Sequence, residues 1–113
     1  VTMLWNGIGG FQRVELRVGT LLAAEPNTGA IKPAYVLQVD LGELGIKQSS
    51  AQLTGHYSCA ELIGRQVLCV CNFAPKRIAG VRSEVLITGV YDADGKVVLA
   101  GFDKPLANGS RLA

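Results

Sequence analysis

The stretch Arg13-Val14-Glu15-Leu16-Arg17-Val18-Gly19-Thr20 alternates polar and apolar side chains with a period of two residues. This alternation is typical of a half-buried β-strand. Gly19 interrupts the pattern before an apolar run over residues 21–24, and a glycine inside a strand often marks a bend or a bulge. The stretch therefore predicts a long first strand that coils around a small barrel.

Further short strands are predicted downstream, each bounded by glycine, proline, asparagine or aspartate. Residues 34–41 place Tyr35, Leu37, Val39 and Leu41 on one face, and residues 46–54 form a third strand with a strongly polar face. The apolar run at 67–71 indicates a strand that is covered on both sides. Residues 84–91 and 97–100 form a hairpin around the turn at 92–95, whereas 72–82 is a basic loop.

One short helix is predicted between the third and fourth strands. Ser58 and Glu61 have the spacing of a capping box, and Gly64 follows as a helix stop. Strands this closely spaced leave no room for crossover helices, so the sheet is antiparallel. The sequence therefore predicts an all-β fold, a five-stranded OB-fold Greek-key barrel with this helix, whereas a β-sandwich would have about seven strands.

Composition limits the chain to one small binding domain. Its 113 residues match a single domain, and 49% hydrophobic with 18% charged residues supports a packed core. The net charge of +2 is weak, so any nucleic acid would bind a local basic patch. The predicted domain organisation is an N-terminal arm at 1–12, the barrel at 13–100 and a C-terminal arm at 101–113.

Reactive groups are sparse. Cys59, Cys69 and Cys71 lack the spacing of a metal site or a disulfide framework, which favours reduced thiols in a cytoplasmic protein. His56 is the only histidine and has no recognisable nucleophile or acid partner, so a loop role is favoured. We expect no enzyme activity, metal or cofactor. No stretch approaches the roughly 20 apolar residues of a membrane helix, so no stable membrane insertion is expected.

Four segments, taken in order, resemble the tRNA-binding domain family. They are residues 14–20, 47–53, 71–80 and 83–86. Lys32-Pro33-Ala34-Tyr35, Ser49-Ser50-Ala51-Gln52 and the closing Lys104-Pro105 with Asn108-Gly109 are similar to its stand-alone CsaA-type chaperone branch. The segment before the first strand lacks the acidic residue usual before Phe11, and residues 27–31 replace a more charged stretch.

The resemblance implies an OB fold, a homodimer formed through the terminal segments, and no cofactor. It also implies binding of tRNA by shape and, for the CsaA branch, of unfolded or pre-secretory polypeptide, with contact to the export machinery. The alternatives are a tRNA-binding module or structure-specific tRNA chaperone without polypeptide clients and, more remotely, a small enzyme. Salt dependence separates RNA binding from polypeptide binding.

OB barrels bind ligands on the face of their second and third strands and on the adjacent loops. Neutral side chains there suit a 2′-OH, a phosphate or a peptide backbone, and the cations suit phosphates. The competing interpretations are a solvated strand face, ordinary surface charge and, for Phe73, a core plug. The residues assigned to the site are Lys32, Lys47, Ser49, Ser50, Gln52, Asn72, Phe73, Lys76, Arg77, Arg82 and Ser83.

The terminal segments carry apolar side chains that need a surface to pack against. The residues assigned to a dimer interface are Trp5, Phe11, Phe102, Pro105 and Leu112. A twofold interface uses the same patch twice and joins two binding grooves into one longer surface.

Overall fold

The computed structural model describes residues 13–112 and shows an all-β fold. Its strands are β1 Leu16–Pro26, β2 Tyr35–Asp40, β3 Ile46–Ala51, β4 Gln66–Val70, β5 Lys76–Ile78, β6 Val81–Ser83, β7 Leu86–Ile87, β8 Gly89–Tyr91 and β9 Val97–Leu99. A five-stranded antiparallel sheet has the order β3-β2-β1-β4-β7, and β5–β6 and β8–β9 form two hairpins. A 3₁₀ turn at Gly42–Leu44 links β2 to β3. The sheet curls into a nearly closed barrel, which confirms the predicted fold.

β1 is the strand shared by both halves of the sheet. It pairs with β4 through residues 16–20 and with β2 through residues 20–26. The register shifts between Leu21 and Ala23, so the bulge lies after Leu21 and not at Gly19. Gly19 has a different role, because a Cβ there would lie 2.4 Å from Val39 Cγ1 and 2.9 Å from Leu41 Cδ2. Glycine at this position lets β1 approach the side chains of β2.

The barrel interior is almost entirely aliphatic. Leu37, Val39 and Leu41 are fully buried and Tyr35 packs against them, so the predicted inner face of β2 is confirmed. Burying each such side chain contributes roughly 1.5–3 kcal/mol. Cys69 also lies in this core, and burial raises the pKa of its thiol to about 12. The complete cluster is Leu21, Leu37, Val39, Leu41, Leu53, Leu62, Val67, Cys69, Val85 and Ile87.

The predicted helix is present as α1, Cys59–Leu62, between β3 and β4. The Glu61 N–H donates to Ser58 Oγ at 3.3 Å, and the Ser58 N–H donates to Glu61 Oε1 at 2.6 Å. Gly64 ends the helix with φ +87°, and its N–H donates to the Leu21 carbonyl at 2.8 Å. The capping box and the glycine stop are therefore confirmed, and α1 packs its buried Leu62 into the barrel core.

The barrel closes where β3 meets residues 83–85, a contact that we call the closing seam. The Glu84 N–H donates to the Gln48 carbonyl at 2.8 Å, and the Gln48 N–H donates to Glu84 Oε1 at 3.1 Å. The Ser50 N–H donates to Ser83 Oγ at 3.1 Å. β3 ends at Ala51, so the predicted extension of this strand to residue 54 is wrong.

Residues 76–83 form a hairpin, so the prediction of an irregular loop over 72–82 is wrong there. Ile78 pairs with Val81 across a two-residue turn in which Ala79 has φ 48° and Gly80 has φ 81°. Positive φ at both turn residues matches the right-handed twist of hairpin strands. Alanine rarely adopts this conformation, which is why the sequence did not indicate the turn.

The predicted strand over 84–91 is divided at Thr88 into β7 and β8. The Thr88 hydroxyl and N–H both donate to the Leu68 carbonyl, at 2.8 and 3.0 Å. After Thr88 the chain leaves the barrel and pairs with β9 around the predicted turn. In that turn Asp92 Oδ1 accepts the N–H groups of Asp94 and Lys96, each at 2.9 Å. His56 Nε2 lies 2.6 Å from Asp92 Oδ2, so the histidine braces this hairpin.

The C-terminal segment is irregular, and it forms hydrogen bonds with strand β1 of the barrel. The Leu112 N–H donates to the Leu16 carbonyl at 2.9 Å, and the Gly109 N–H donates to the Val18 carbonyl at 2.7 Å. Gly109 has φ +87° and lies in a turn at Asn108-Gly109. These bonds occupy the edge of β1 that β2 leaves open.

The predicted interface residues are placed only in part. Phe102 and Pro105 are exposed and Leu112 is half-buried, whereas Trp5, Phe11 and the whole arm at 1–12 lie outside the described residues. Within residues 13–112, Cys59, Cys69 and Cys71 are free thiols. No helix in that range is long and apolar enough to span a bilayer.

Substituting Gly19→Ala is expected to destabilise the barrel by about 1–3 kcal/mol because the added methyl group overlaps Val39 and Leu41. Urea unfolding of both proteins measures the difference. Gly101→Ala is the matched control, since its Cβ would meet only the Gln66 carbonyl oxygen at 3.6 Å. Equal stability of the two variants would contradict the close approach at Gly19.

The Asp92 carboxylate is expected to stabilise the fold in a pH-dependent way. Its hydrogen bond to His56, followed by the bond from the Lys96 N–H, holds its pKa below the ordinary value of 3.8. Because the folded-state pKa is lowered, this contribution is complete above the ordinary pKa and is lost as the pH falls through the folded-state pKa.

Asp92→Asn tests this, since it removes the charge and keeps the shape. The free energy of unfolding of the wild type should exceed that of Asp92→Asn at pH of about 6, and the gap should narrow as the pH falls below the ordinary pKa of 3.8. Asp94→Asn, in the same turn, is the control and should show no such gap. A difference that is constant with pH would exclude a contribution from the charge.

Candidate nucleic-acid and polypeptide interface

A continuous groove runs along β3 between the loop at 27–34 and the β5–β6 hairpin. It consists of three neighbouring clefts, of about 520, 160 and 370 Å³. We call them the alanine cleft, the middle cleft and the end cleft. The first two share Ser50 and Ile78, and the last two share Phe73, Glu84 and Val85. The groove therefore lies on the face that OB barrels use for ligands.

Most of the predicted site residues line this groove. The alanine cleft contains Lys32, Ser50 and Gln52, the middle cleft contains Ser50, Phe73, Lys76 and Ser83, and the end cleft contains Lys47, Phe73 and Arg82. Residues far apart in the sequence meet here because the closing seam holds the hairpin against β3.

Ser49 does not face the groove, and its assignment as a ligand contact is wrong. Its side chain is 1% exposed, and its hydroxyl donates to the Val85 carbonyl at 2.8 Å. Neighbouring residues of a strand point to opposite faces, so Ser49 points inward while Ser50 points to the groove. A buried hydroxyl needs a hydrogen-bond partner, and here that partner belongs to the closing seam.

Asn72 joins two backbone segments and is no part of the groove lining. Its Oδ1 accepts the Glu15 N–H at 2.8 Å, and its Nδ2 donates to the Arg13 carbonyl. With both ends of the amide engaged, Asn72 fastens the entry to β1 onto the end of β4. Asn72 is nevertheless exposed, so its assignment as a ligand contact stays a prediction beside this clamping role.

Arg77 lies outside all three clefts. It sits opposite Arg82 in the hairpin, and its guanidinium donates to the Gly80 carbonyl at 3.1 Å. Lys76 sits opposite Ser83, and both line the middle cleft. Alternation along β5 thus sends Lys76 towards Ser50 and Arg77 away from it. Arg77 is exposed and lines none of the three clefts, and its assignment to the binding site stays a prediction.

The groove carries an excess of positive charge. Among residues 13–112, Lys32, Lys47, Lys76 and Arg82 form no ion pair. The acidic residues at the end cleft are engaged, because Glu15 is bound by the Arg17 guanidinium and Glu84 accepts the Gln48 N–H. The cations along the groove are therefore available to an anionic ligand.

Apolar side chains share the groove, and two of them were absent from the predicted site. Ile31 is 102% exposed and Ile78 is 39% exposed, and both line the alanine cleft. Phe73 is 52% exposed between the middle and end clefts, so it is not a core plug. Ile31 is an apolar residue among the turn-forming residues of the loop at 27–34, and this pattern could have indicated an exposed apolar contact.

Within the part of the chain that the structure describes, no three His, Cys, Asp or Glu side chains come together as a metal-ligating set. The fold and the groove define a small OB-type binding domain with a mixed cationic and apolar surface.

Comparison with known proteins identifies the family. The family described as "Putative tRNA binding domain" matches residues 16–111. The CsaA chaperone of Bacillus anthracis superimposes with a TM-score of 0.89 and 45% identity, covering 94% of this chain and 96% of that one. The CsaA chaperone of Picrophilus torridus gives 0.87 and 39%, covering 94% and 97%. The chain belongs to the tRNA-binding-domain family and is of the CsaA type.

Larger proteins contain the same domain. The methionine–tRNA ligase of Methanocaldococcus jannaschii is 33% identical over 93% of this chain, and that of Chlorobium chlorochromatii is 40% identical over 79%. This chain spans only 16% and 12% of the length of these two ligases.

Substituting Asn72→Ala is expected to lower the free energy of unfolding by about 1 kcal/mol, since the Glu15 N–H and the Arg13 carbonyl lose their partner. Chemical denaturation measures the change. Gln52→Ala is a suitable control, because the exposed Gln52 side chain makes no hydrogen bond among the described residues. Unchanged stability of Asn72→Ala would contradict the clamping role of the Asn72 side chain.

Proposed function

We propose that this protein is a non-enzymatic binding protein that holds tRNA along the groove. The observation that carries the proposal is the row of unpaired cations, Lys76, Lys47 and Arg82, in the middle and end clefts, with Lys32 beyond them at the far end of the groove. Cations that neutralise phosphates release counterions and provide affinity that does not depend on sequence. Membership of the tRNA-binding-domain family and the likeness to the named methionine–tRNA ligases support the same ligand.

The neutral residues supply the remaining contacts with RNA. Ser50 and Gln52 have hydroxyl and amide groups that make no side-chain hydrogen bond among the described residues. Such groups pair with phosphate oxygens and with the 2′-OH, which distinguishes RNA from DNA. The exposed ring of Phe73 offers a stacking platform for one unpaired base. Recognition would follow the shape of the folded RNA, as expected for a groove without base-specific pockets.

A second candidate ligand is unfolded or pre-secretory polypeptide. The exposed side chains of Ile31, Ile78 and Phe73 favour it, because exposed apolar groups in a groove mark binding sites for apolar partners. The two most similar structures described above are named chaperones. Contact with the export machinery and a cytoplasmic location belong to the same hypothesis.

The proposed active form is a homodimer formed through the terminal segments. Exposed Phe102 supports it, as do Val90 and Tyr91 on the neighbouring hairpin, which are 71% and 74% exposed. A twofold assembly covers the same patch on both copies and presents two grooves to one ligand. Trp5, Phe11, Pro105 and Leu112 remain the other proposed interface residues.

Lys76→Gln is expected to weaken tRNA binding roughly tenfold at ~100 mM salt, and to reduce the salt slope by about 1, because one phosphate contact is lost. Arg77→Gln is the matched control, since Arg77 is the next residue in the chain but lies outside the clefts. Filter binding of bulk tRNA at several salt concentrations measures both variants.

Equal losses of tRNA affinity in the two variants would show that the overall positive charge of the protein, and not the groove, attracts the RNA. Unchanged binding in both would contradict the proposed path of the phosphates. A titration of unfolded polypeptide at the same salt concentrations separates the two candidate ligands, since burial of apolar groups is not weakened by added salt in this way.

A further inference from the structure

The alanine cleft differs chemically from the rest of the groove. Its walls are aliphatic, formed by Ile31 on one side and Ile78 on the other, with Ala34 and Ala51 between them. Among the described residues, Lys32 is the only charged one that lines it, and no aromatic ring does. The middle and end clefts, by contrast, contain the ring of Phe73 together with Lys76, Lys47 and Arg82.

The walls of the alanine cleft are held in place before any ligand arrives. The loop that carries Ile31 is closed by the Asn27 N–H, which donates to the Ala34 carbonyl at 2.9 Å. Asn27 Oδ1 also accepts the Gly29 N–H at 3.1 Å. A Cβ on Gly29 would lie 3.1 Å from the Ala79 carbonyl oxygen, so the loop and the hairpin tip meet. These contacts hold the backbone on the two sides of the cleft together, and a preorganised backbone loses less entropy on binding.

Given the second ligand proposed above, we propose that the alanine cleft is a side-chain pocket for extended polypeptide. An apolar client side chain enters between Ile31 and Ile78, and an adjacent acidic residue pairs with Lys32. The inference rests on polypeptide binding as proposed, and it separates the polypeptide contacts from those made by RNA.

The lining favours a polypeptide over a nucleotide in this cleft. A base gains affinity by stacking on an aromatic ring or a guanidinium, and the alanine cleft has neither. A phosphate backbone needs several cations, whereas this cleft has Lys32 alone. Aliphatic walls instead reward the burial of an aliphatic or aromatic side chain, at roughly 25 cal/mol per Å² of apolar surface.

Polar groups at the rim suit a peptide main chain. The Gln52 amide has both a donor and an acceptor, and it makes no side-chain hydrogen bond among the described residues. A primary amide can pair with the C=O and the N–H of an extended segment together. Because main-chain groups are the same in all clients, such pairing accepts unrelated sequences. The isoleucines add a preference for apolar side chains, and Lys32 adds one for acidic neighbours.

The test uses fluorescein-labelled peptides in a glycine–serine background that differ at one central pair: Glu-Leu, Glu-Ser or Lys-Leu. Fluorescence anisotropy should show wild-type protein binding the Glu-Leu peptide roughly tenfold more tightly than the Glu-Ser peptide. The double variant Ile31→Ser with Ile78→Ser should lose this preference for leucine. Lys32→Gln should instead lose the preference for Glu-Leu over Lys-Leu.

Ile63→Ser is the matched control, because Ile63 is 54% exposed and lines none of the clefts. It should keep both preferences. The substituted isoleucines are themselves exposed, and a urea unfolding curve for each variant verifies the fold. Binding of bulk tRNA to Ile31→Ser alone should equal that of the wild type, because Ile31 lines only the alanine cleft, whereas Ile78 also lines the middle cleft.

Three results would overturn the inference: no binding of the Glu-Leu peptide to wild type at millimolar concentration, a retained leucine preference in the double variant, or a loss of tRNA binding in Ile31→Ser alone. The third result would assign the cleft to RNA. Failure of wild-type protein to bind tRNA, with the peptide preferences intact, would contradict only the tRNA proposal.

Discussion

The closing seam between β3 and residues 83–85 is the contact on which the groove depends. The Glu84 N–H donates to the Gln48 carbonyl, the Gln48 N–H donates to the Glu84 carboxylate, and the Ser83 hydroxyl accepts the Ser50 N–H. The seam satisfies the edge of β3, which an open sheet would expose to other chains. It also holds the β5–β6 hairpin beside Ser50, so that closure of the barrel and formation of the binding surface are the same event.

Ser49 shows how the seam connects the core to the surface. Its buried hydroxyl is tolerated because it donates a hydrogen bond to the Val85 carbonyl. Ser50, one residue later, is left on the outer face with its hydroxyl free of hydrogen bonds among residues 13–112. Two adjacent serines therefore have opposite roles, one in holding the barrel closed and the other in offering a hydrogen bond to a ligand.

Predictions from short sequence patterns are confirmed where residues close together in the sequence determine the conformation. The capping box of Ser58 and Glu61, the apolar face of β2 and the turn at residues 92–95 were predicted and are present. Predictions that depended on partners distant in sequence were less accurate. The hairpin at 76–83 turns through an alanine with positive φ, and the pairing of β5 with β6 places Lys76 beside Ser83 at the middle cleft. The sequence of this segment is dominated by basic and turn-forming residues, so it indicates neither the turn nor the pairing of β5 with β6.

The amino-acid sequence by itself determined the barrel class, its aliphatic interior, the position of the helix and the set of residue types available for binding. It could do so because alternation and capping act over a few residues, where spacing along the chain equals proximity in space. Only the tertiary structure decided which of those side chains meet. The closing seam pairs residues that lie more than 30 positions apart in the chain. Their register therefore selects Ser50, Lys76 and Ile78 for the groove and sends Ser49 to the core.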